Sequence, residues 1–166
     1  TAEDVGTSVR DMEWVRSETD YVVGISRSLG GSGDPSVVTA YGVYIGIKAC
    51  AKEKFNQNDL DGLKIAIQGL GHVGMYLVEY LSKHDVEIYV TDINENLVQQ
   101  AVSKFDVNPV STDEILKLNV DILAPCALGA VINDETIPQL NCKVVAGGAN
   151  NVLKNAKIDG EMLKKR

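Results

Sequence analysis

Three observations point to an α/β protein built on a doubly wound, mostly parallel sheet. Short apolar runs alternate with segments of helical spacing along most of the chain. These runs are continuously apolar rather than alternating, as expected of strands covered on both faces. A glycine triplet, Gly69-x-Gly71-x-x-Gly74, joins the first clear run directly to a helical segment.

The elements follow in order. Asp4 to Ser8 is a loop, and Val9, Met12 and Val15 mark a helix to Arg16. Tyr21 to Ile25 suits a short strand or an extended segment. Ser28 to Pro35 is glycine-rich and predicts a linker or hinge. Asp34-Pro35 opens the next helix: the carboxylate accepts from free N–H groups, and proline suits a position that needs none. That helix, Ser36 to about Lys54, is apolar on most of its perimeter, which predicts burial on more than one side. Leu63 to Gln68 is a buried strand, Met75 to Lys83 a helix, Val86 to Asp92 a second strand and Glu95 to Lys104 a second helix. Val107 to Val110, Val120 to Ala124 and Lys143 to Ala146 continue the strand series. A short helix is expected over Glu135 to Leu140, a loop over Gly147 to Asn151 and a polar helix from Ala156 to Arg166.

Composition narrows the function. The chain has 166 residues, of which 45% are hydrophobic, and a net charge of −7. An acidic chain without a basic cluster lacks the phosphate contacts that dominate nucleic-acid affinity, and it is unsuited to anionic membranes. No apolar run reaches the roughly 18 residues of a membrane span, and the start at Thr1 shows no signal-peptide pattern. Cys50, Cys126 and Cys142 form no CxxC pair, so a reducing, cytoplasmic setting is expected and no metal site.

The glycine triplet carries the chemistry. Gly69 permits a tight turn, Gly71 lets the backbone approach a pyrophosphate, and Gly74 lets the helix pack close to the sheet. The helix start offers free N–H groups and partial positive charge to phosphates. Asp92, at the end of the second strand, stands eighteen residues after Gly74. That is near the spacing of an acid that accepts from ribose hydroxyls and repels a 2′-phosphate. This Rossmann-like pattern predicts NAD as cofactor, bound by Gly69, Leu70, Gly71, His72, Val73, Gly74 and Asp92. The plainer alternatives are a ligand-free βα turn and, for Asp92, a helix cap. His72 is a loop side chain near the phosphates rather than a base. His84 ends a helix, where a solvated or capping role is expected.

Four stretches then resemble one family in its order. They are Thr1-Ala2-Glu3-Asp4-Val5-Gly6-Thr7, the run Asp34 to Val43, Ala124-Pro125-Cys126-Ala127-Leu128-Gly129-Ala130, and Gly147-Gly148-Ala149-Asn150-Asn151. Together they are similar to the Glu/Leu/Phe/Val dehydrogenases, with the leucine-type members nearest. The resemblance implies NAD-dependent oxidative deamination of a branched-chain or apolar L-amino acid to the 2-oxo acid and ammonia. It implies that Asp4 exchanges a proton with the substrate amine, a task that suits a carboxylate. Ala2 would line the side-chain pocket, Thr39 would bond the nicotinamide amide, and Asn150 would stand near nicotinamide and substrate. Cys126 and Ala127 would flank the cofactor. Taken singly, Asp4 is a loop or capping carboxylate, Thr39 a helix residue bonding its own turn, and Cys126 a packed thiol with no sequence neighbour to lower its pKa.

The resemblance also implies a division and a gap. Residues 1–33 correspond to the end of the family's catalytic α/β domain and its hinge, and 34–166 to an NAD-binding domain whose sheet is incomplete at its C-terminus. The family's water-activating lysine would lie outside these residues. A fragment with negligible turnover alone is therefore expected, from a protein that is a homo-oligomer at full length. An NAD-binding sensing module without catalysis is the competing reading. It is disfavoured by the 68 residues that precede Gly69.

Overall fold

A computed structural model of the chain describes residues 1–4 and 6–166 and divides it into two compact units, Thr1–Val38 and Thr39–Arg166. Val5, part of the first family-like stretch, lies outside the described residues.

The first unit contains helix α1 (Val9–Arg16) and a 3₁₀ turn, Arg27–Leu29. Asp11 fixes the start of α1, its carboxylate accepting from the N–H and the hydroxyl of Ser8 at 2.7 Å each. Met12, Val22 and Ile25 are buried together, with Val15 against them. Tyr21 to Ile25 makes no strand. Gly24 turns the backbone to φ +81°, and the N–H of Val23 donates to Thr1 O at 2.8 Å rather than to a ladder.

Helix α2 (Ser36–Phe55) opens where Asp34 accepts from the Ser36 N–H at 2.8 Å and leads into the second unit. There a five-stranded sheet holds β1 (Lys64–Gln68), β2 (Glu87–Thr91), β3 (Asn108–Pro109), β4 (Ile122–Pro125) and β5 (Val144–Val145). Helix α3 (His72–Leu81) joins β1 to β2, and α4 (Glu95–Lys104) joins β2 to β3. The strand order is β3-β2-β1-β4-β5, and all four pairings are parallel. This is the Rossmann-like doubly wound arrangement. The chain runs outward from β1 through β2 to β3, then returns to place β4 on the other side of β1.

The period of two along each strand sorts side chains onto two faces. Ile65 and Ile67 of β1, Ile88 and Val90 of β2, and Ile122 and Ala124 of β4 enter one core with Leu77, Val78 and Leu81 of α3 and Ile47 and Ala51 of α2. Ala66 and Leu123, with Tyr89 packed against them, belong to the other, which Ile115, Ile132, Ile137 and Leu140 complete. That second face is covered by 3₁₀ turns, Ile115–Lys117 and Ile137–Gln139, and by α5 (Ala156–Lys164). The helix expected over Glu135 to Leu140 is thus only the 3₁₀ turn, because Pro138 has no N–H to extend it.

Two further expectations change. Helix α3 starts at His72 rather than Met75, so Gly74 lies inside its first turn. Helix α2 buries only Ala40, Ile47 and Ala51, while Val38 is 74% exposed. Its outer perimeter is apolar yet uncovered by this chain. No helix among the described residues is long and apolar enough to cross a membrane.

Two glycine substitutions should move stability in opposite directions. A Cβ on Gly74 would fall inside the carbonyl oxygen of Gly69, whereas one on Gly46 of α2 would meet open space. Gly74→Ala should cost about 1–3 kcal/mol through overpacking, and Gly46→Ala should add about 0.5–1 kcal/mol. Urea unfolding followed by circular dichroism checks both signs.

Candidate functional site

The strand order reverses between β1 and β4, which places the crevice of a doubly wound sheet at their carboxyl ends. In open α/β sheets this is where ligands bind. Gly69 leaves β1 at φ +95°, a conformation that favours glycine. Its Cβ, if present, would stand 2.7 Å from the backbone nitrogen of Ala127, the second residue after β4. The glycine turn and the loop after β4 are therefore in backbone contact.

Helix α3 rises from that turn with Gly71 at its start and no side-chain cap there. By contrast, Asn94 caps α4 through the Asn96 N–H at 3.1 Å, and Asn155 caps α5 through the Ile158 N–H at 3.1 Å. The first turn of α3 carries no acid, so no carboxylate there offsets the partial positive charge of the helix start. Gly71 and His72 are exposed, while Gly69, Leu70 and Gly74 are buried.

Asp92 follows β2, and its carboxylate is held at both ends. One oxygen accepts from the Leu70 N–H at 2.6 Å and the other from the Asn94 N–H at 2.8 Å. The acid is thus tied to the glycine turn and also braces the approach to α4. Beyond it a cleft of about 640 Å³ is lined by Thr91, Asp92, Ile93, Glu95, Ser111 and Thr112, among others. Ile93, 93% exposed, was not singled out by the sequence. Its signal is an apolar residue immediately after the strand-ending acid.

The loops after β4 and β5 interlock. The Ala149 N–H donates to Pro125 O at 2.9 Å, and the Ala130 N–H to Asn151 O at 2.8 Å. A Cβ on Gly147 would overlap Pro125, and one on Gly129 would overlap the carbonyls of Asn150 and Asn151. Ala130 (φ 64°) and Asn151 (φ 49°) are held in the left-handed region, a strained state that clusters at functional sites. Asn150 is exposed at this junction. Val73 of α3 and Val43 of α2 meet where a Gly148 Cβ would stand, at 3.0 and 3.3 Å. Thr39, exposed, lies one turn before Val43 on the same face of α2.

Cys126 packs beneath this junction, its Sγ 3.9 Å from the same point over Gly148. Burial pushes its thiol above the ordinary range, against a smaller opposing effect from the Gly148 backbone. It is a packed cysteine, not an activated one.

The second unit thus gathers Gly69 to Gly74, Asp92, Cys126, Ala127 and Asn150. Ala2 and Asp4 belong to the first unit, both exposed. The Asp4 N–H donates to the Thr7 hydroxyl oxygen at 2.8 Å, and the Thr7 N–H returns a bond to Asp4 O at 2.9 Å. Of the solvated or capping roles expected for His84, the solvated one fails: its side chain is 18% exposed, and Nε2 pairs with the Tyr44 hydroxyl at 2.7 Å. Tyr80 stacks on Tyr44 at 5.7 Å between centroids, so an aromatic cluster between α2 and α3 captures the imidazole.

Comparison with known proteins gives a consistent picture. The model of the Glutamate/Leucine/Phenylalanine/Valine dehydrogenase family matches residues 30–95 and 88–159. Leucine dehydrogenase from Bacillus cereus is 56% identical over 154 residues, 93% of this chain and 42% of that protein. The Thermoactinomyces intermedius leucine dehydrogenase is 52% identical over 166 residues, 100% of this chain and 45% of its own. The crystal structure of L-tryptophan dehydrogenase from Nostoc punctiforme superposes with a TM-score of 0.82 at 39% identity, over 99% of this chain and 46% of that one. The chain spans less than half the length of these relatives.

The state of Cys126 is open to test. Iodoacetamide near pH 7.5 should label it at least about tenfold more slowly in the folded chain than in urea, because thiolate and access are both withheld. Peptide mass spectrometry reads the rate, and equal rates would remove the packed assignment.

Proposed function

The chain belongs to the glutamate/leucine/phenylalanine/valine dehydrogenase family, and from that premise we propose that it supplies the dinucleotide-binding part of an NAD-dependent amino acid dehydrogenase. One observation carries this reading. The uncapped start of α3, Asp92 and the loops after β4 and β5 converge where the strand order reverses. A Cβ at Gly69 or Gly74 would strike the protein's own backbone, which fixes the turn and the helix packing, while residue 71 faces open space, which suits a close approach of its backbone to a pyrophosphate.

On this reading Gly71, His72 and Val73 hold the pyrophosphate through backbone N–H groups. Gly69, Leu70 and Gly74 set the turn. Asp92 accepts from the adenosine ribose hydroxyls, and its negative charge beside Glu95 repels a 2′-phosphate, which selects NAD over NADP. Cys126 and Ala127 flank the dinucleotide, and Thr39 bonds the nicotinamide amide. Bound nicotinamide supplies the acceptor for the substrate α-hydride.

The whole protein would deaminate a branched-chain or apolar L-amino acid to the 2-oxo acid and ammonia. Names among the relatives support that class: two leucine dehydrogenases and an L-tryptophan dehydrogenase. Ala2 would line the side-chain pocket, and Asn150 would orient the substrate beside the nicotinamide. Asp4 would stabilise the substrate ammonium and take its proton. A homo-oligomer working in the cytoplasm completes the proposal, with residues 1–33 serving the catalytic domain and hinge and 34–166 the dinucleotide.

Fluorescence titration of the 166-residue chain with NADH and NADPH tests the cofactor assignment. Saturable NADH binding with much weaker NADPH is expected. Asp92→Ala should weaken NADH roughly ten- to a hundredfold, the loss of hydrogen bonds to a charged group, and should narrow the preference over NADPH. Identical affinities in wild type and variant would remove Asp92 from the site. For Asp4, the test needs a polypeptide of the relatives' full length. There Asp4→Asn should lower kcat roughly a hundredfold or more while NADH affinity holds; retained turnover would exclude the proton-transfer role.

A further inference from the structure

Gln68 is the last residue of β1, paired in register with Thr91 on one side and Pro125 on the other. Its backbone carbonyl accepts from the Cys126 N–H at 2.7 Å. Gln68 therefore stands at the floor of the crevice, one residue before the glycine turn.

Its side chain breaks the pattern of its strand. Alternation puts residue 68 on the same face as Ala66, which is fully buried in an apolar core. A carboxamide is an inconsistent choice at such a position, and local rules are broken this way mainly at functional sites. The inconsistency is also energetic. Gln68 Oε1 is buried and has no hydrogen-bond partner among the described residues. Buried acceptors left unsatisfied are costly and rare, and each needs an explanation. Thr91, the register partner on β2 and itself buried where Gln68 is half-buried, lines the cleft beyond Asp92. The two polar side chains sit side by side at the carboxyl edge of this face, while Lys64 and Glu87 pair at its other edge.

We propose that Gln68 is a dinucleotide-binding residue whose carboxamide oxygen is satisfied only when the cofactor is bound. A ribose hydroxyl or an amine of the dinucleotide brings the donor that the protein lacks. The terminal torsion of glutamine is soft, so the amide turns toward the crevice at small cost. This rests on the dinucleotide reading above, and it makes the unsatisfied oxygen a stability cost carried by the ligand-free chain and relieved on binding.

The test reads stability and affinity together. Gln68→Met keeps the volume and removes the orphaned acceptor; Gln68→Leu is the second variant should the first pack poorly. The expected result is a melting temperature raised by roughly 2–4 °C together with NADH binding weakened roughly three- to tenfold. Unchanged NADH affinity overturns the proposal. Weaker binding with a lower melting temperature also overturns it, since a damaged strand end then accounts for both. Asp92→Ala in the same titration separates the two readings. If it weakens NADH while Gln68→Met does not, only the role of Gln68 falls. If the wild-type chain melts cooperatively but shows no saturable NADH binding, the dinucleotide reading falls and this one with it.

Discussion

The carbonyl of Gly69 occupies the space that a side chain at residue 74 would need, and the architecture of the second unit follows from that approach. Helix α3 can lie against β1 only if residue 74 has no Cβ. Residue 69 must at the same time take a positive φ to turn the chain into the helix. With both conditions met, Leu77, Val78 and Leu81 reach the sheet and close the larger core. The same geometry brings the start of α3 level with the carboxyl ends of β1 and β4. Packing and the proposed anion recognition thus share one backbone contact, and a change to either glycine would disturb both.

Asp92 shows how the site is braced beyond this contact. Its two oxygens bind the N–H of Leu70 and of Asn94, which fixes the distance between the glycine turn and the loop after β2. A carboxylate already held by two backbone donors is set in place before a ligand arrives, so less ordering is left to pay for on binding. The interlocked loops after β4 and β5 do the same on the other side, with Ala130 and Asn151 held at positive φ by their mutual contacts.

Much of this was legible in the sequence, and the misses have physical causes. The run Leu63 to Gly74 is written locally: a continuous apolar strand, a glycine turn and a helical spacing. The family-like stretches extended that reading to Asp4, Thr39, Cys126 and Asn150. What escaped depends on partners far along the chain. Tyr21 to Ile25 has strand composition but no strand beside it, and Val23 bonds Thr1 instead. His84 looked like a solvated helix end, yet Tyr44, forty residues earlier, claims it. The perimeter of α2 is as apolar as expected, but Val38 remains 74% exposed, with none of the described residues covering it. Gln68 read only as the last residue of a buried strand, and its side chain on the face of the second core shows the cost it carries.

The order of the sheet also has a consequence in time. Strands β1 and β2 come together across a single helix, but β1 and β4 pair at a sequence separation of 57, that of the Lys64 and Asp121 contact at their start. Closing the longer loop costs more entropy before any contact repays it. During synthesis, β1, β2 and β3 all emerge before β4, which pairs with the remaining edge of β1, exists. The crevice is the gap beside that late pairing, so it forms when the sheet is completed and not before. Until then one edge of the central strand is open to pairing with any other chain, a period of aggregation risk. Pairing with β4 closes that edge and completes the carboxyl-end crevice in one event.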